Sequence, residues 1–107
     1  MRFFERIFGK SESERLLRER ADLWAARHYP IVVRAVAAAT ARIVVAQQGV
    51  GLEQLSPETR FVQDLQMHDL EGVELVMAIE EEFGFEIPEE LGERMETLGD
   101  LITYLHE

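Results

Sequence analysis

The chain contains no cysteine and little else that could support catalysis. Without cysteine among its 107 residues, disulfides and thiol nucleophiles are excluded. Its three histidines are His28, His68 and His106, too far apart in sequence for their spacing to suggest a shared site. No nucleophile or second histidine is placed near His68 by spacing, and a metal site built from His68 with surface carboxylates is not expected. We therefore expect neither an enzyme nor a metal site.

The chain also lacks an uninterrupted apolar run of membrane-spanning length. Its longest apolar stretch, residues 31–46, is broken by Arg34 and Arg42 and falls short of the roughly 20 residues that a span requires. The first residues show no apolar segment followed by a small-residue cleavage site. With 47% apolar residues, the chain suits one packed core, and we expect a cytoplasmic protein.

Positive charge is scarce and concentrated at one end. The net charge is −10, yet residues 1–30 hold seven Arg or Lys against five Asp or Glu, while residues 31–107 hold four against sixteen. Such an acidic body repels nucleic acid and favours basic protein surfaces. We expect no nucleic-acid partner.

The sequence predicts helices and no strands. Residues 31–48 contain Val and Ile runs that suit strands, but their alanines, their length and the following Gly49 decide for helix. Helical spacing, with breakers or caps at the ends, covers residues 11–28, 31–48, 69–83, 87–94 and 98–105, with a Ser11/Glu14 capping box and Thr97 as the cap of the last helix. The second helix is apolar nearly all round, which predicts burial on more than one side, with the first helix on its outer face. The fold class is all-α.

Two helices have a predicted inner face. In the first, we expect the buried stripe to consist of Leu16, Leu17, Ala21, Trp24 and His28. In the helix 69–83, the predicted buried residues are Leu70, Val73, Val76, Met77 and Ile79. Its glutamates are expected to face solvent.

From about Arg42 onward the chain resembles bacterial acyl carrier proteins. The likeness rests on the run FVQDLQMHDLEGVELVMAIEEEF from Phe61 to Phe83, on Gly49-Val50 and on Glu86-Ile87-Pro88. The resemblance implies an acyl carrier protein-like four-helix bundle over residues 30–107. Residues 1–29 have no counterpart in that family and are predicted to form an additional N-terminal helical extension.

The resemblance singles out position 69. In the family, a serine within Asp-Ser-Leu opens the second helix and carries phosphopantetheine; here the triplet is His68-Asp69-Leu70. The register is anchored by Phe61 eight positions before and by the Val73 run four positions after. A carboxylate would give only a mixed anhydride, which hydrolyses, so we predict that Asp69 is unmodified and that phosphopantetheine is absent. Another departure is Gln66, which replaces a glycine.

The resemblance also implies two surfaces. Glutamates of the second family helix dock on the basic surfaces of acyl-transferring or synthase enzymes, which assigns docking to Glu71, Glu74, Glu80 and Glu81. An apolar cleft shelters an acyl chain, and a free lipid could occupy it here. The corresponding cleft positions are Val73, Met77, Ile87 and Met95.

These features predict a non-covalent docking or regulatory module of fatty-acid or polyketide metabolism. The alternative is a genuine phosphopantetheine-dependent carrier whose serine was substituted in this version of the chain. Asp69 itself admits three explanations: a helix cap, a mimic of the missing arm's phosphate, or an engineered replacement.

Residues 1–8 place Phe3, Phe4, Ile7 and Phe8 at helical spacing, with Arg2 and Arg6 between them. This pattern suits contact with a membrane surface or a partner. The rival interpretation is folding back on the bundle or pairing with a second copy as a homodimer.

Overall fold

The computed structural model describes residues 12–107, with side chains from residue 13. Its elements are α1 (Glu12–His28), a 3-10 turn (Ile31–Val33), α2 (Arg34–Gln48), a 3-10 turn (Leu52–Gln54), α3 (Asp69–Phe83), α4 (Glu89–Arg94) and α5 (Leu98–His106). The described residues contain no strand, only an isolated bridge between Arg60 and Thr97. The all-α fold is confirmed. The predictions for Ser11 and for residues 1–8 lie outside the described residues.

Helix α2 is the centre of the fold. It packs against α1, α3 and α5, as its all-round apolar character predicted. Small side chains dominate its buried positions, which are Ala37, Ala38, Ala39, Thr40, Ala41, Ile43 and Val44. It ends at Gly49, whose φ of +68° is left-handed, a conformation that glycine adopts without the steric cost of a Cβ.

The start of α2 differs from the prediction. Pro30 is followed by a 3-10 turn, and the α-helix begins only at Arg34, so Ile31 and Val32 are 76% and 72% exposed. By length and composition alone, the stretch Ile31–Gln48 could cross a membrane, and 39% of it is buried inside the protein. The core helix of a soluble bundle meets the same criterion, and packing against three helices accounts for the apolar residues of α2.

Helix α1 joins the same core through small residues and one tryptophan. Ala21 and Ala25 are fully buried, and Trp24 is 4% exposed. The Trp24 indole Nε1–H donates to the Leu55 carbonyl oxygen at 2.9 Å, which ties α1 to the loop after α2. The predicted stripe was wrong at Leu16 and His28, which are exposed. The alanines let α1 approach α2 closely, and that contact determines which face is buried.

A partly buried ion pair also joins α1 to α2. The Glu14 carboxylate lies 3.1 Å from the Arg42 guanidinium and 2.9 Å from that of Arg18. The side chains of Arg42 and Glu14 are only 12% and 9% exposed. Burial lowers the pKa of Arg42, and the nearby Arg18 charge adds to that effect, whereas the Glu14 charge opposes it. Glu14 therefore compensates a cation that α2 carries into the interior.

The loop before α3 is held to the start of α5. The Phe61 N–H donates to the Glu96 carbonyl, and the Leu98 N–H donates to the Thr59 carbonyl, both at 2.9 Å. Thr97 caps α5 as predicted, with its Oγ1 accepting from the Asp100 N–H at 3.0 Å. A Cβ at Gly99 would lie 2.8 Å from the Pro57 carbonyl oxygen, so this close approach requires glycine.

Helix α3 has the predicted bounds but not the predicted inner face. Its buried residues are Leu75, Ala78 and Ile79. The predicted burial was wrong for three others: Leu70, Val73 and Met77 are 71%, 54% and 61% exposed. At about 100° per residue, these three lie on the side of the helix away from Leu75. The helix is apolar on two sides, and only one of them packs against α2.

The core position of Trp24 leads to a test of the proposed division at residues 29 and 30. Trp24 is the only tryptophan and lies in the core shared with α2. We expect its fluorescence and the far-UV circular dichroism to change in one transition during urea unfolding, since α1 and the bundle lose their core together. An earlier fluorescence transition would show that α1 is an independently detaching unit.

The Glu14–Arg42 contact leads to a stability prediction. Glu14→Gln should lower the free energy of unfolding by about 1–3 kcal/mol, because it removes the carboxylate that lies against the half-buried Arg42 guanidinium and leaves only the charges of Glu82 and Asp22 to offset it. Glu19→Gln is the matched control: its ion pair with Arg15 is exposed on the same helix, and its loss should cost less than about 1 kcal/mol. Equal losses in urea titrations of the two variants would contradict a special role for Glu14.

Candidate functional site

A cleft of about 820 Å³ lies between α3 and the segment from Ile87 to Met95. The buried side chains of Met67, Leu75 and Ile79 form part of its lining, so the cleft reaches the core. All four predicted cleft residues line it: Val73, Met77, Ile87 and Met95. Ile87 is 7% exposed, whereas Val73 and Met77 are more than half exposed. That the cleft holds an acyl chain stays a prediction.

The first turn of α3 borders this cleft. The N-cap is His68, and its backbone N–H donates to the Glu71 carboxylate at 3.1 Å. Asp69 is the first helical residue; it is exposed and lines the cleft. Its side chain makes no hydrogen bond or ion pair with any other described residue. Of the three explanations of Asp69, a helix cap that hydrogen-bonds the backbone is therefore wrong, because the N-cap position belongs to His68.

The helix dipole still favours the negative charge of Asp69 at this position. A negative side chain in the first turn faces the positive end of the helix dipole, which stabilises an exposed helix by about 0.3–1 kcal/mol. That interaction requires no hydrogen bond, and the side chain is exposed. The side chain is available to a partner at the mouth of the cleft.

The turn before α3 has an unusual backbone. Gln66 has a φ of +54° and is the only described residue other than glycine with a positive φ. A side chain in this left-handed region costs roughly 1–2 kcal/mol, and the family resemblance places a glycine here. The next residue, Met67, donates its N–H to the Phe61 carbonyl at 3.0 Å and is 3% exposed. The turn thus directs Met67 into the core just before the helix begins.

The four predicted docking glutamates differ in their surroundings. Glu74 is exposed, whereas Glu71, Glu80 and Glu81 are half-buried. Besides the contact of Glu71 with His68, the Glu80 carboxylate accepts the Ile87 N–H at 2.7 Å. Glu80 therefore also holds the segment between α3 and α4. The docking role of the four residues stays a prediction.

The mouth of the cleft is acidic. Asp69, Glu80, Glu89 and Glu93 are among its lining residues, and no Arg or Lys lines it in the described part of the chain. Within residues 12–107, no group of three or more His, Asp or Glu side chains could hold a metal ion. The site therefore combines an apolar interior with a negatively charged rim.

Sequence reasoning missed the exposed apolar side of α3. Leu70, Val73 and Met77 follow one another at helical intervals, and the helix also has a second apolar set at Leu75, Ala78 and Ile79. The sequence signal for this exposed side is the presence of two apolar sets on one helix. A helix that packs on one side needs only one apolar set, so the other is left exposed. The exposed set joins the rim of the cleft through Val73 and Met77.

Comparisons with known proteins agree with this arrangement. The family model described as "Phosphopantetheine attachment site" matches residues 39–105. The acyl carrier protein of Helicobacter hepaticus is 44% identical over 63 residues, which cover 59% of this chain and 83% of that protein. The acyl carrier protein of Wolinella succinogenes is 46% identical over 63 residues, with the same coverage.

The matched residues contain α3, α4 and the cleft, most of α2, and α5 except for its last residue. Residues 12–28, which form α1, lie before them. The matching region thus corresponds to the part of the fold that builds the site. From the family model and the two relatives, the chain belongs to the acyl carrier protein family, whose members act in acyl metabolism as carrier proteins and not as enzymes.

Proposed function

We propose that this protein is an acyl carrier protein-like docking module that has lost the covalent arm. The observation that carries the proposal is the carboxylate of Asp69, which is exposed at the first turn of α3 and at the mouth of the cleft. An aspartate has no hydroxyl to form the phosphodiester of phosphopantetheine. The residue at this position therefore does not fit the prosthetic group of the family.

The distribution of serine supports the same proposal. Ser56 is the only serine within the matched residues 39–105. It lies in the loop before α3, where its backbone N–H donates to Thr59 Oγ1 at 2.9 Å. Ser11 and Ser13 precede the matched region. No serine hydroxyl is thus offered at the start of α3, where the family resemblance expects one.

The proposed module docks on basic surfaces of acyl-transferring or synthase enzymes. Glu74 is exposed, and the rim of the cleft is acidic, which favours association with arginine- and lysine-rich surfaces. The carboxylate of Asp69 would lie where the arm's phosphate is attached in a loaded carrier, so a partner's phosphate-binding cation could accept it. The cleft supports the binding of a free lipid, because its interior is apolar.

The second candidate is a genuine carrier of lipid biosynthesis whose serine was substituted at position 69. What favours it is the retention of the whole cleft and of the family's helix sequence around it. The two candidates differ in one residue and lead to different outcomes when that residue is restored. A cytoplasmic location stays a prediction for either.

Restoring the hydroxyl tests the proposal. Asp69→Ser and wild type are incubated with coenzyme A and a broad-specificity phosphopantetheinyl transferase, and intact mass is measured. We expect wild type to gain no mass, because no serine hydroxyl stands at the start of α3. If the serine was simply substituted, Asp69→Ser should gain the mass of one phosphopantetheine.

Asp69→Ala is the matched control, since it also lacks the carboxylate but supplies no hydroxyl. Wild type that gains the arm, or that carries it when isolated from its native host, would contradict the docking module. An Asp69→Ser variant that stays unmodified while the Wolinella succinogenes acyl carrier protein is modified would remove the second candidate. It would show that more than this residue has diverged.

Docking can be measured by competition. The wild-type chain should inhibit transfer of an acyl group to the phosphopantetheine-loaded Wolinella succinogenes acyl carrier protein, because it occupies the acyltransferase without accepting the acyl group. Glu74→Lys should raise the inhibition constant several-fold, chiefly at low salt, since charge reversal slows electrostatically steered association. If the Asp69 carboxylate takes the place of a phosphate, Asp69→Asn should raise it as well.

Glu53→Lys is the control for Glu74→Lys, because it reverses another exposed glutamate that lies in the 3-10 turn beside α1. Equal inhibition by wild type, Glu74→Lys and Glu53→Lys would place the docking surface elsewhere. Absence of inhibition by all of them would contradict docking on this class of enzyme.

A further inference from the structure

The outer side of α1 is a regular apolar and basic stripe. We call Leu16, Arg20, Leu23 and Arg27 the α1 stripe; from Leu16 the others follow at intervals of four, seven and eleven residues. At about 100° per residue, these positions lie within one narrow sector of the helix. Leu16 and Leu23 are 47% and 68% exposed, and both arginines are exposed.

The α1 stripe lies on the side of the helix away from its contact with α2. The side of α1 that contacts α2 carries Ala21 and Ala25, which are fully buried. Arg20 and Arg27 make no ion pair with the described residues, unlike Arg15 and Arg18. Arg20, Leu23 and Arg27 also line a groove of about 480 Å³ beside the Leu52–Gln54 turn. The stripe therefore borders a groove, and a second helix could pack against this surface.

Helix α3 repeats the same spacing with the opposite charge. We call Leu70, Glu74, Met77 and Glu81 the α3 stripe; its members stand at the same intervals of four, seven and eleven residues. Leu70 and Met77 are 71% and 61% exposed, and Glu74 is exposed. An apolar residue in one stripe thus corresponds to an apolar residue in the other, and each arginine corresponds to a glutamate.

The complementarity between the α1 stripe and the α3 stripe depends on the relative direction of the two helices. With the two helices parallel, Leu16 meets Leu70, Arg20 meets Glu74 and Leu23 meets Met77, so apolar contacts alternate with opposite charges. With the helices antiparallel, the leucines of one stripe would meet the glutamates of the other. This matching favours the parallel orientation of the two helices, just as charged residues beside the apolar contact set the orientation of helices in coiled coils.

We propose that the α1 stripe of one molecule docks in parallel on the α3 stripe of a second copy. Within one molecule, the Trp24 hydrogen bond and the Glu14–Arg42 pair hold α1 with its opposite side on α2, so its stripe is directed outward. The contact joins two different surfaces and is heterologous; a pair of molecules closes only if both contacts form at once. The proposal goes beyond the docking function and does not depend on whether the arm is present.

The contact should be weak and sensitive to salt. It involves about three turns of helix on each side, which places it toward the small end of specific interfaces, and its charges lie near solvent. Self-association would cover Glu74 and the rim of the cleft. It would therefore compete with the docking of basic partners, which use the same side of α3.

Charge exchange between the stripes tests the proposal on the full chain. Sedimentation velocity from micromolar to millimolar concentration should show wild type associating, with weaker association as salt rises. Arg20→Glu and Glu74→Arg should each raise the dissociation constant at least ten-fold, because each places like charges opposite one another. An equimolar mixture of the two variants should recover association, since Glu at position 20 of one chain then meets Arg at position 74 of the other.

The two variants also separate stripe pairing from net charge. Glu74→Arg moves the net charge from −10 to −8, which should promote non-specific association, whereas the proposal expects a loss. Glu107→Arg makes the same change at the exposed chain end and should leave association unaltered. Circular dichroism and Trp24 fluorescence should match wild type in all variants, which keeps a folding defect apart from a lost contact.

Three results would overturn the proposal. The first is wild type that remains monomeric up to millimolar concentration. The second is association that survives both reversals, or that a mixture of the variants fails to recover. The third is a monomeric chain that binds anionic phospholipid vesicles and loses that binding in Arg20→Glu, since the occupant of the α1 stripe would then be a lipid surface.

Discussion

The packing of α2 on three sides is the constraint on which the rest of the structure depends. Because α1, α3 and α5 all contact this helix, its surface must be apolar nearly all round, and close approach requires small residues at the contacts. Ala21 and Ala25 of α1 and Ala37, Ala38 and Ala41 of α2 meet that requirement, all 3% exposed or less. Larger side chains here would separate the helices or strain the core.

This packing gives α1 a structural role that its position outside the family match does not suggest. The family model begins at residue 39, yet α1 contributes Trp24 to the core cluster and Glu14 as the counterion of Arg42. Helix α2 depends on α1 in turn, because Arg42 of α2 carries a positive charge into the contact between them. A helix that carries an arginine inward needs a nearby carboxylate, and α1 supplies it.

The helices could be predicted from the sequence more reliably than their inner faces. The predicted bounds of α3 are those of the structure, because its breakers and apolar spacing agree. Its inner face was predicted wrongly at Leu70, Val73 and Met77, and that of α1 at Leu16 and His28. Periodicity states which residues share a side of a helix. When two sides are apolar, the tertiary contact decides between them, and the close approach of alanines favoured the sides with Ala21 and Ala78.

The candidate site was predicted to a similar extent. The four cleft residues line one cleft, because the family register places them correctly. The cap at the start of α3 could not be assigned from residue type alone: aspartate is a frequent N-cap, yet the backbone places His68 there and Asp69 one residue later. A shift of one position separates a carboxylate that bonds the backbone from one that faces solvent. Local propensity is too weak to decide such a shift when the preceding turn contains the left-handed Gln66.

The two outward surfaces have a common physical consequence. The side of α3 that carries Leu70, Glu74 and Met77 is exposed in a single molecule, and both an enzyme partner and the α1 stripe of a second copy would use it. Two ligands that need the same surface exclude each other, so occupancy depends on their concentrations and dissociation constants. At low concentration the chain would present α3 to its partners. At high concentration, self-association would cover α3 and make it inaccessible to partners. Rising salt would weaken both contacts, because each depends on the glutamates of α3.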